Sequence, residues 1–87
     1  MKKSRTKKIL KSIESIKEEI EKHFTKLEGN INEKNEILTR YHIKEIDKSL
    51  LDFLEKRLNL LKADKNLLKQ YKKRLENLKA KANSQFL

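Results

Sequence analysis

The stretch that decides the fold runs from Ile37 to Ala82 and reads ILTRYHIKEIDKSLLDFLEKRLNLLKADKNLLKQYKKRLENLKAKA. It contains no Gly and no Pro, and its apolar residues return at alternating steps of three and four, the spacing of one helix face. The positions in this pattern are Ile43, Ile46, Leu50, Leu54, Leu58, Leu61, Leu68, Tyr71, Leu75, Leu78 and Ala82. As a single helix, the stretch would extend roughly 69 Å at about 1.5 Å per residue.

Composition points in the same direction. Of the 87 residues, 36% are hydrophobic and 41% are charged, with one Gly, no Pro and no Cys. This profile is typical of long helices and coiled coils, and it allows a single domain with a narrow core. The lack of Cys excludes disulfides and thiolate metal sites. Apolar runs never exceed two residues, so we expect a cytoplasmic protein with no transmembrane segment and no cofactor.

A second apolar seam lies near the N-terminus and predicts a first helix over about residues 5–28. Its members are Ile9, Ile13, Ile16, Ile20 and Leu27. Gly29 is the only Gly, and Gly readily adopts the left-handed conformation that ends many helices. Asn30, with Glu33 three residues later, resembles the capping box of a following helix. The turn is therefore predicted at residues 29–32.

Two helices joined by so short a turn pack antiparallel. Folding about Gly29 predicts three facing pairs: Ile9 with Leu50, Ile13 with Ile46, and Ile16 with Ile43. The predicted fold of the single domain, residues 1–87, is all-α. It is an antiparallel hairpin whose long second helix covers about residues 33–82, resembles a coiled-coil strand and ends in a frayed tail at 83–87. A break near 62–66, with Asp64 capping a third helix, is the alternative and gives a three-helix bundle; the lack of Gly and Pro there favours the continuous helix.

In a hairpin, the apolar seam of the second helix extends past the first helix and has no partner. We therefore expect a second copy of the chain or a partner helix to cover it, which predicts a homo-oligomer or a docking module of a larger assembly. The predicted interface residues are Leu58, Leu61, Leu68, Tyr71, Leu75 and Leu78.

The net charge of +10 is concentrated in two segments. Residues 1–8 carry five positive charges and no negative ones, and residues 62–81 carry eight positive and two negative. Such an array suits the phosphate backbone of DNA or RNA, read without base specificity. An acidic protein partner, a solvated helix face and an anionic membrane surface are the alternatives. The predicted nucleic-acid-binding residues are Lys2, Lys3, Arg5, Lys7, Lys8, Lys65, Lys69, Lys72, Lys73 and Arg74.

No motif in the sequence predicts catalysis. His23 and His42 lie nineteen residues apart and do not form the helical zinc motif, so we interpret His23 as a seam residue and His42 as a surface residue. A Gly-rich phosphate loop and a nucleophile elbow are both absent. The sequence therefore predicts a non-enzymatic helical interaction or scaffolding protein, with nucleic-acid binding through the basic end as the alternative.

Overall fold

In a computed structural model, described from residue 2 to residue 86, every regular element is helical. The elements in chain order are α1 (Lys2–Asn32), α2 (Glu36–Glu45), a π-helical turn (Ile46–Leu50), α3 (Leu51–Leu61) and α4 (Asn66–Phe86). Side chains are described from residue 5 to residue 86. The backbone remains right-handed helical on both sides of the π-helical turn, so α2, the turn and α3 form one continuous arm, which we name the second arm. The prediction of an all-α protein is confirmed.

The chain folds into three helical arms: α1, the second arm and α4. On α4, Lys72 Nζ lies 3.9 Å from Glu55 Oε2, and Lys79 Nζ lies 3.8 Å from Asp47 Oδ2. Later residues of α4 thus meet earlier residues of the second arm, which means that α4 runs back antiparallel to it. The molecule measures 52 × 18 × 15 Å, shorter than the predicted rod. The prediction of one long helix through residues 33–82 is therefore wrong.

The first connection lies four residues later than predicted. Gly29 is inside α1, and the chain turns at Lys34, which adopts a left-handed conformation (φ 59°). Lys34 N donates to Ile31 O at 3.0 Å and Asn35 N donates to Asn30 O at 2.9 Å, the two hydrogen bonds of a Schellman motif. A left-handed non-Gly residue costs about 1–2 kcal/mol. The additional helical turn offsets that cost by burying Ile31 completely.

Moving the turn shifts the register between the first two arms by about twice as much. Arg57 Nε donates to Ser12 Oγ at 3.1 Å, and Ile9 lines a groove with Leu60 and Leu61. Ile9 therefore lies against the end of α3, and its predicted pairing with Leu50 is wrong. The pairs predicted further along the same seam, Ile13 with Ile46 and Ile16 with Ile43, shift with it.

The second connection is also a Schellman motif. Lys62 has φ 53°, its N–H donates to Asn59 O at 3.1 Å, and Ala63 N donates to Leu58 O at 3.1 Å. Asp64 Oδ1 then accepts a hydrogen bond at 3.0 Å from the N–H of Asn66, the first residue of α4. This is the capping role that the sequence assigned to Asp64 in the alternative with a broken helix.

The π-helical turn explains why the apolar positions around Leu50 are too broad for one seam. Leu51 N–H donates to Ile46 O, five residues back, so the turn contains one residue more than an α-helical turn. The extra residue rotates α3 relative to α2 and brings Leu51 into the core, where it is 2% exposed. Leu50, which the simple periodicity places in the seam, is left half-buried.

The residues predicted to contact another chain lie instead in the core of this one, so the predicted interface is wrong. Leu58, Leu68, Tyr71 and Leu75 are buried, and Leu61 and Leu78 are half-buried against the same core. The physical reason is the return of α4, which covers the seam that a hairpin would leave open.

The prediction of a frayed tail is also wrong for the residues that the structure describes. Residues 83–86 belong to α4, and Phe86 packs on the core. Residue 87 lies outside the described residues.

Arg74 on α4 contacts α1 through a cation–π interaction and two ion pairs. Its guanidinium carbon lies 4.3 Å from the centroid of the Phe24 ring, and its Nη1 donates to both carboxylate oxygens of Glu21, at 2.9 Å for Oε2. Nη2 lies 3.5 Å from Glu28 Oε1. Partial burial lowers the pKa of Arg74, but the hydrogen bonds and charges of Glu21 and Glu28 outweigh burial and raise it overall. Arg74 is thus a stacked and ion-paired structural residue.

We expect Arg74→Gln to lower the free energy of unfolding by about 1 kcal/mol, since it removes a cation–π contact and a partly exposed ion pair. Urea unfolding followed by circular dichroism measures this change. Lys73→Gln is the matched control, because Lys73 is exposed and adjacent in sequence; it should change stability by less than about 0.5 kcal/mol. Equal effects of the two substitutions would contradict the structural role of Arg74.

Candidate nucleic-acid interface at the basic end

Two basic segments meet at one end of the molecule. The start of α1 lies beside the end of α3, because Arg5, Thr6 and Ile9 share a groove with Leu60 and Leu61. The connection at residues 62–65 and the first turns of α4 follow directly. We name this region the basic end; its exposed Lys and Arg side chains without a carboxylate oxygen within 4.0 Å, among the described residues, are Arg5, Lys7, Lys8, Lys11, Lys62, Lys65, Lys69 and Lys73.

The charge is strongly polarised along the molecule. Residues 5–13 and 56–73 together carry eleven Lys or Arg side chains and one carboxylate, that of Asp64. The other described side chains carry ten Lys or Arg and twelve Asp or Glu. Nearly all of the net positive charge therefore lies at the basic end, where it creates a positive potential directed along the long axis.

The structure separates the predicted nucleic-acid-binding residues into three groups. Arg5, Lys7, Lys8, Lys65, Lys69 and Lys73 lie exposed at the basic end. Lys72 and Arg74 are engaged within the chain, Lys72 at 3.9 Å from Glu55 and Arg74 with Glu21 and Glu28, so Arg74 is removed from the candidate surface. Lys2 and Lys3 belong to the backbone of α1, and their side chains lie outside the described ones.

Two residues of the surface, Lys11 and Lys62, are absent from the predicted set. Lys11 follows the N-terminal basic run by three residues. It lies beside α3, and therefore at the basic end, only because the register between α1 and the second arm is shifted. Lys62 is exposed in the connection between α3 and α4, where its backbone is left-handed (φ 53°). Lys62 could have been predicted from the sequence, because it begins the basic segment 62–81. Nothing in the sequence distinguishes Lys11 from other helix-surface lysines.

The basic end offers charge without a stacking platform on α4. Tyr71 is buried and stacks on Phe24 with 6.1 Å between the ring centroids, so its ring is not available to a base. Burial also raises the pKa of Tyr71, which keeps its hydroxyl neutral. On α4, the described part of the basic end is therefore chemically suited to phosphates and presents no exposed aromatic ring of the kind with which proteins bind single-stranded bases.

A histidine pair lies towards the opposite end, between α1 and α2. The ring centroids of His23 and His42 are 5.9 Å apart, His42 Nδ1 lies 2.7 Å from Asn30 Oδ1, and His23 Nδ1 lies 2.8 Å from Glu19 O. The prediction that His42 is a surface residue is wrong, since it is half-buried against α1. Burial, followed by the charges of His23 and Lys26, lowers the pKa of His42.

Because the folded state holds the pKa of His42 below its ordinary value of about 6.5, the unfolded chain binds more protons there once the pH falls below that value. We expect the free energy of unfolding to decline between pH 7.5 and pH 5.5, and His42→Gln to make this decline smaller. Urea titrations at fixed ionic strength measure both slopes. Parallel pH profiles for the wild type and His42→Gln would contradict this assignment.

Other kinds of site are not evident in the described part of the chain. Among its residues, no group of three or more His, Cys, Asp or Glu side chains is arranged to hold a metal ion. None of its helices combines the length and hydropathy needed to span a bilayer. Comparison with protein-family models, curated proteins and solved structures finds no match.

Proposed function

We propose that this chain is a non-enzymatic binding module whose basic end binds the phosphate backbone of a nucleic acid. One observation carries the proposal: unpaired Lys and Arg side chains from the start of α1 and from the α3–α4 connection meet at the same end of the molecule. Cations already paired within a protein have little to gain from a phosphate, whereas unpaired ones release condensed counterions when they bind it.

The residue types at the basic end indicate how the backbone would be bound. Lys predominates, and its ammonium is a mobile point charge that approaches phosphate without fixed geometry, whereas base reading uses the planar fork of Arg. We therefore propose binding directed by charge and shape, without base specificity. The weak charge of the remaining molecule would leave its other end turned away from the polyanion.

A second function, docking onto a protein partner, is supported by a separate observation. Large apolar side chains remain exposed on the second arm, among them Ile37, Tyr41 and Leu60. Where exposed apolar side chains form a contiguous patch, the patch commonly marks an interaction site. The original reason to expect a homo-oligomer, an uncovered seam, no longer applies, so this proposal rests on different residues from those predicted.

The nucleic-acid proposal is tested by measuring the affinity of the full chain for labelled duplex DNA and duplex RNA across a salt series. We expect log affinity to fall linearly with log salt. The triple variant Lys65→Glu, Lys69→Glu, Lys73→Glu should lose at least tenfold in affinity for duplex DNA. Each phosphate contact it loses should reduce the magnitude of the slope by about 0.9.

The matched control is Lys26→Glu, Lys44→Glu, Lys81→Glu, which makes the same change in net charge on exposed lysines that also lack a carboxylate partner within 4.0 Å. These three positions lie away from the basic end, and the variant should keep most of the affinity. Equal losses in the two variants would mean that only the total charge matters. That result, or no binding by the wild type at low salt, would overturn the proposal.

A further inference from the structure

Five of the six large apolar side chains that are strongly exposed in the described structure belong to the second arm. They are Ile37, Leu38, Tyr41, Phe53 and Leu60, and the sixth is Leu10 on α1. Ile37 is 82% exposed, Tyr41 57% and Leu60 55%. Such exposure is not explained by packing within the chain, because the core face of the same arm is filled by other residues.

The π-helical turn aligns these side chains into one row. Tyr41 and Phe53 are twelve residues apart, which in a regular α-helix is about 3.3 turns and would place them on different faces. The extra residue of the π-helical turn reduces the effective separation to eleven residues, about three full turns. Ile37 and Tyr41 are four residues apart, and Phe53 and Leu60 are seven apart, so each pair shares a face. We name Ile37, Tyr41, Phe53 and Leu60 the outer stripe; it is about 35 Å long.

Around Phe53 and Leu60, the outer stripe is bordered mainly by positive charge. Lys56 and Arg57 lie between Phe53 and Leu60, and Lys44 follows Tyr41 by one turn. The groove beside Leu60 adds Arg5 from α1. Carboxylates border the stripe as well: Asp52 pairs with Lys56 at 3.1 Å, Glu36 beside Ile37 pairs with Arg40 at 3.0 Å, and Glu45 lies on the turn after Tyr41.

The charge and shape of the outer stripe indicate which kind of partner would bind it. A second copy of the stripe would bring like charges together around Phe53 and Leu60, and like-charge juxtaposition disfavours a self-complementary interface. A partner helix with apolar residues at positions i, i+3, i+4 and i+7 has a continuous apolar face, which can pack lengthwise along the outer stripe. Acidic residues beside those anchors would be opposite Arg5, Lys56 and Arg57.

We propose that the outer stripe binds an acidic amphipathic helix of a partner protein. This inference rests on the second proposed function, protein docking, and does not require nucleic-acid binding; Arg5 and the groove beside Leu60 belong to both surfaces. Phe53 and Leu60 are the central anchors, because the basic side chains surround them and the groove formed with Ile9 and Leu61 extends the apolar surface. Ile37 and Tyr41 extend the contact towards the α1–α2 connection.

The experiment uses two fluorescent helical peptides with the same Leu stripe, one flanked by Glu and the other by Lys, and measures their anisotropy with the full chain. We expect the Glu-flanked peptide to bind at least tenfold more tightly than the Lys-flanked one. Phe53→Ser with Leu60→Ser should weaken its binding at least tenfold. The same variant should bind duplex DNA as the wild type does, which separates this proposal from the first.

Leu10→Ser is the matched control for Leu60→Ser. The two leucines are exposed to similar extents, 50% and 55%, but Leu10 lies in line with Glu14 and Lys17, on the side of α1 that faces Tyr71. Leu10→Ser should leave peptide affinity within about twofold, since surface substitutions outside an interface have small effects. Circular dichroism checks that each variant is folded.

Four outcomes would overturn the proposal. The first two are no binding of the Glu-flanked peptide and equal binding of both peptides. The third is a dimer in sedimentation experiments that Phe53→Ser with Leu60→Ser abolishes, because it would assign the outer stripe to self-association. The fourth is binding to phosphatidylserine vesicles that the same variant abolishes, because it would assign the stripe to a membrane surface.

Discussion

The return of α4 onto the second arm is the contact on which the rest of the structure depends. Without it, Leu58 would have no cover beyond α1, and the seam carrying Leu68 and Leu75 would be exposed along its length. All three are buried, and each buried leucine contributes about 1.5–3 kcal/mol relative to an exposed one. The return also places Arg74 over Phe24 and brings the start of α4 beside the end of α3. The same packing therefore forms the core and assembles the basic end.

The π-helical turn gives the second arm two separate faces. One extra residue between Ile46 and Leu51 rotates α3, so that the core face continues through Leu51 and Leu54 while the outward face continues from Tyr41 to Phe53. In a regular helix, both rows would be rotated by about 100° at this point. π-helical turns are often found at functional sites, and here the turn has a packing consequence and a surface consequence at once.

The sequence predicts the helical content, the antiparallel start and the positions of most core residues, because apolar periodicity reflects burial directly. It does not predict where the chain turns. Both turns use a lysine, Lys34 and Lys62, in a left-handed conformation that Gly adopts more easily, while Gly29 lies within α1. In each case the turn is decided by tertiary burial and by capping hydrogen bonds, which outweigh the local preference. A register error of several residues follows from the first misplacement alone.

The sequence predicts which segments carry the basic side chains of the candidate site, but not which of those side chains are paired within the chain. A concentration of Lys at two segments is visible in the sequence, but the pairing of Arg74 with Glu21 and Glu28 depends on how α4 packs against α1. The predicted interface fails for a related reason: an apolar seam shows that a partner is needed, and nothing in its pattern says whether the partner is another chain or a later part of the same one.

A distance measurement between spin labels at Lys44→Cys and Asn83→Cys tests whether α4 folds back within one chain. The chain has no Cys of its own, and both positions are exposed and line one groove. We predict a short distance, set by packed helices whose axes lie about 8–10 Å apart, that persists when labelled protein is diluted with unlabelled protein. A distance near 58 Å, about 1.5 Å for each intervening residue, would instead indicate one continuous helix. A short distance that disappears on dilution would also contradict folding back within one chain, since it would arise between chains.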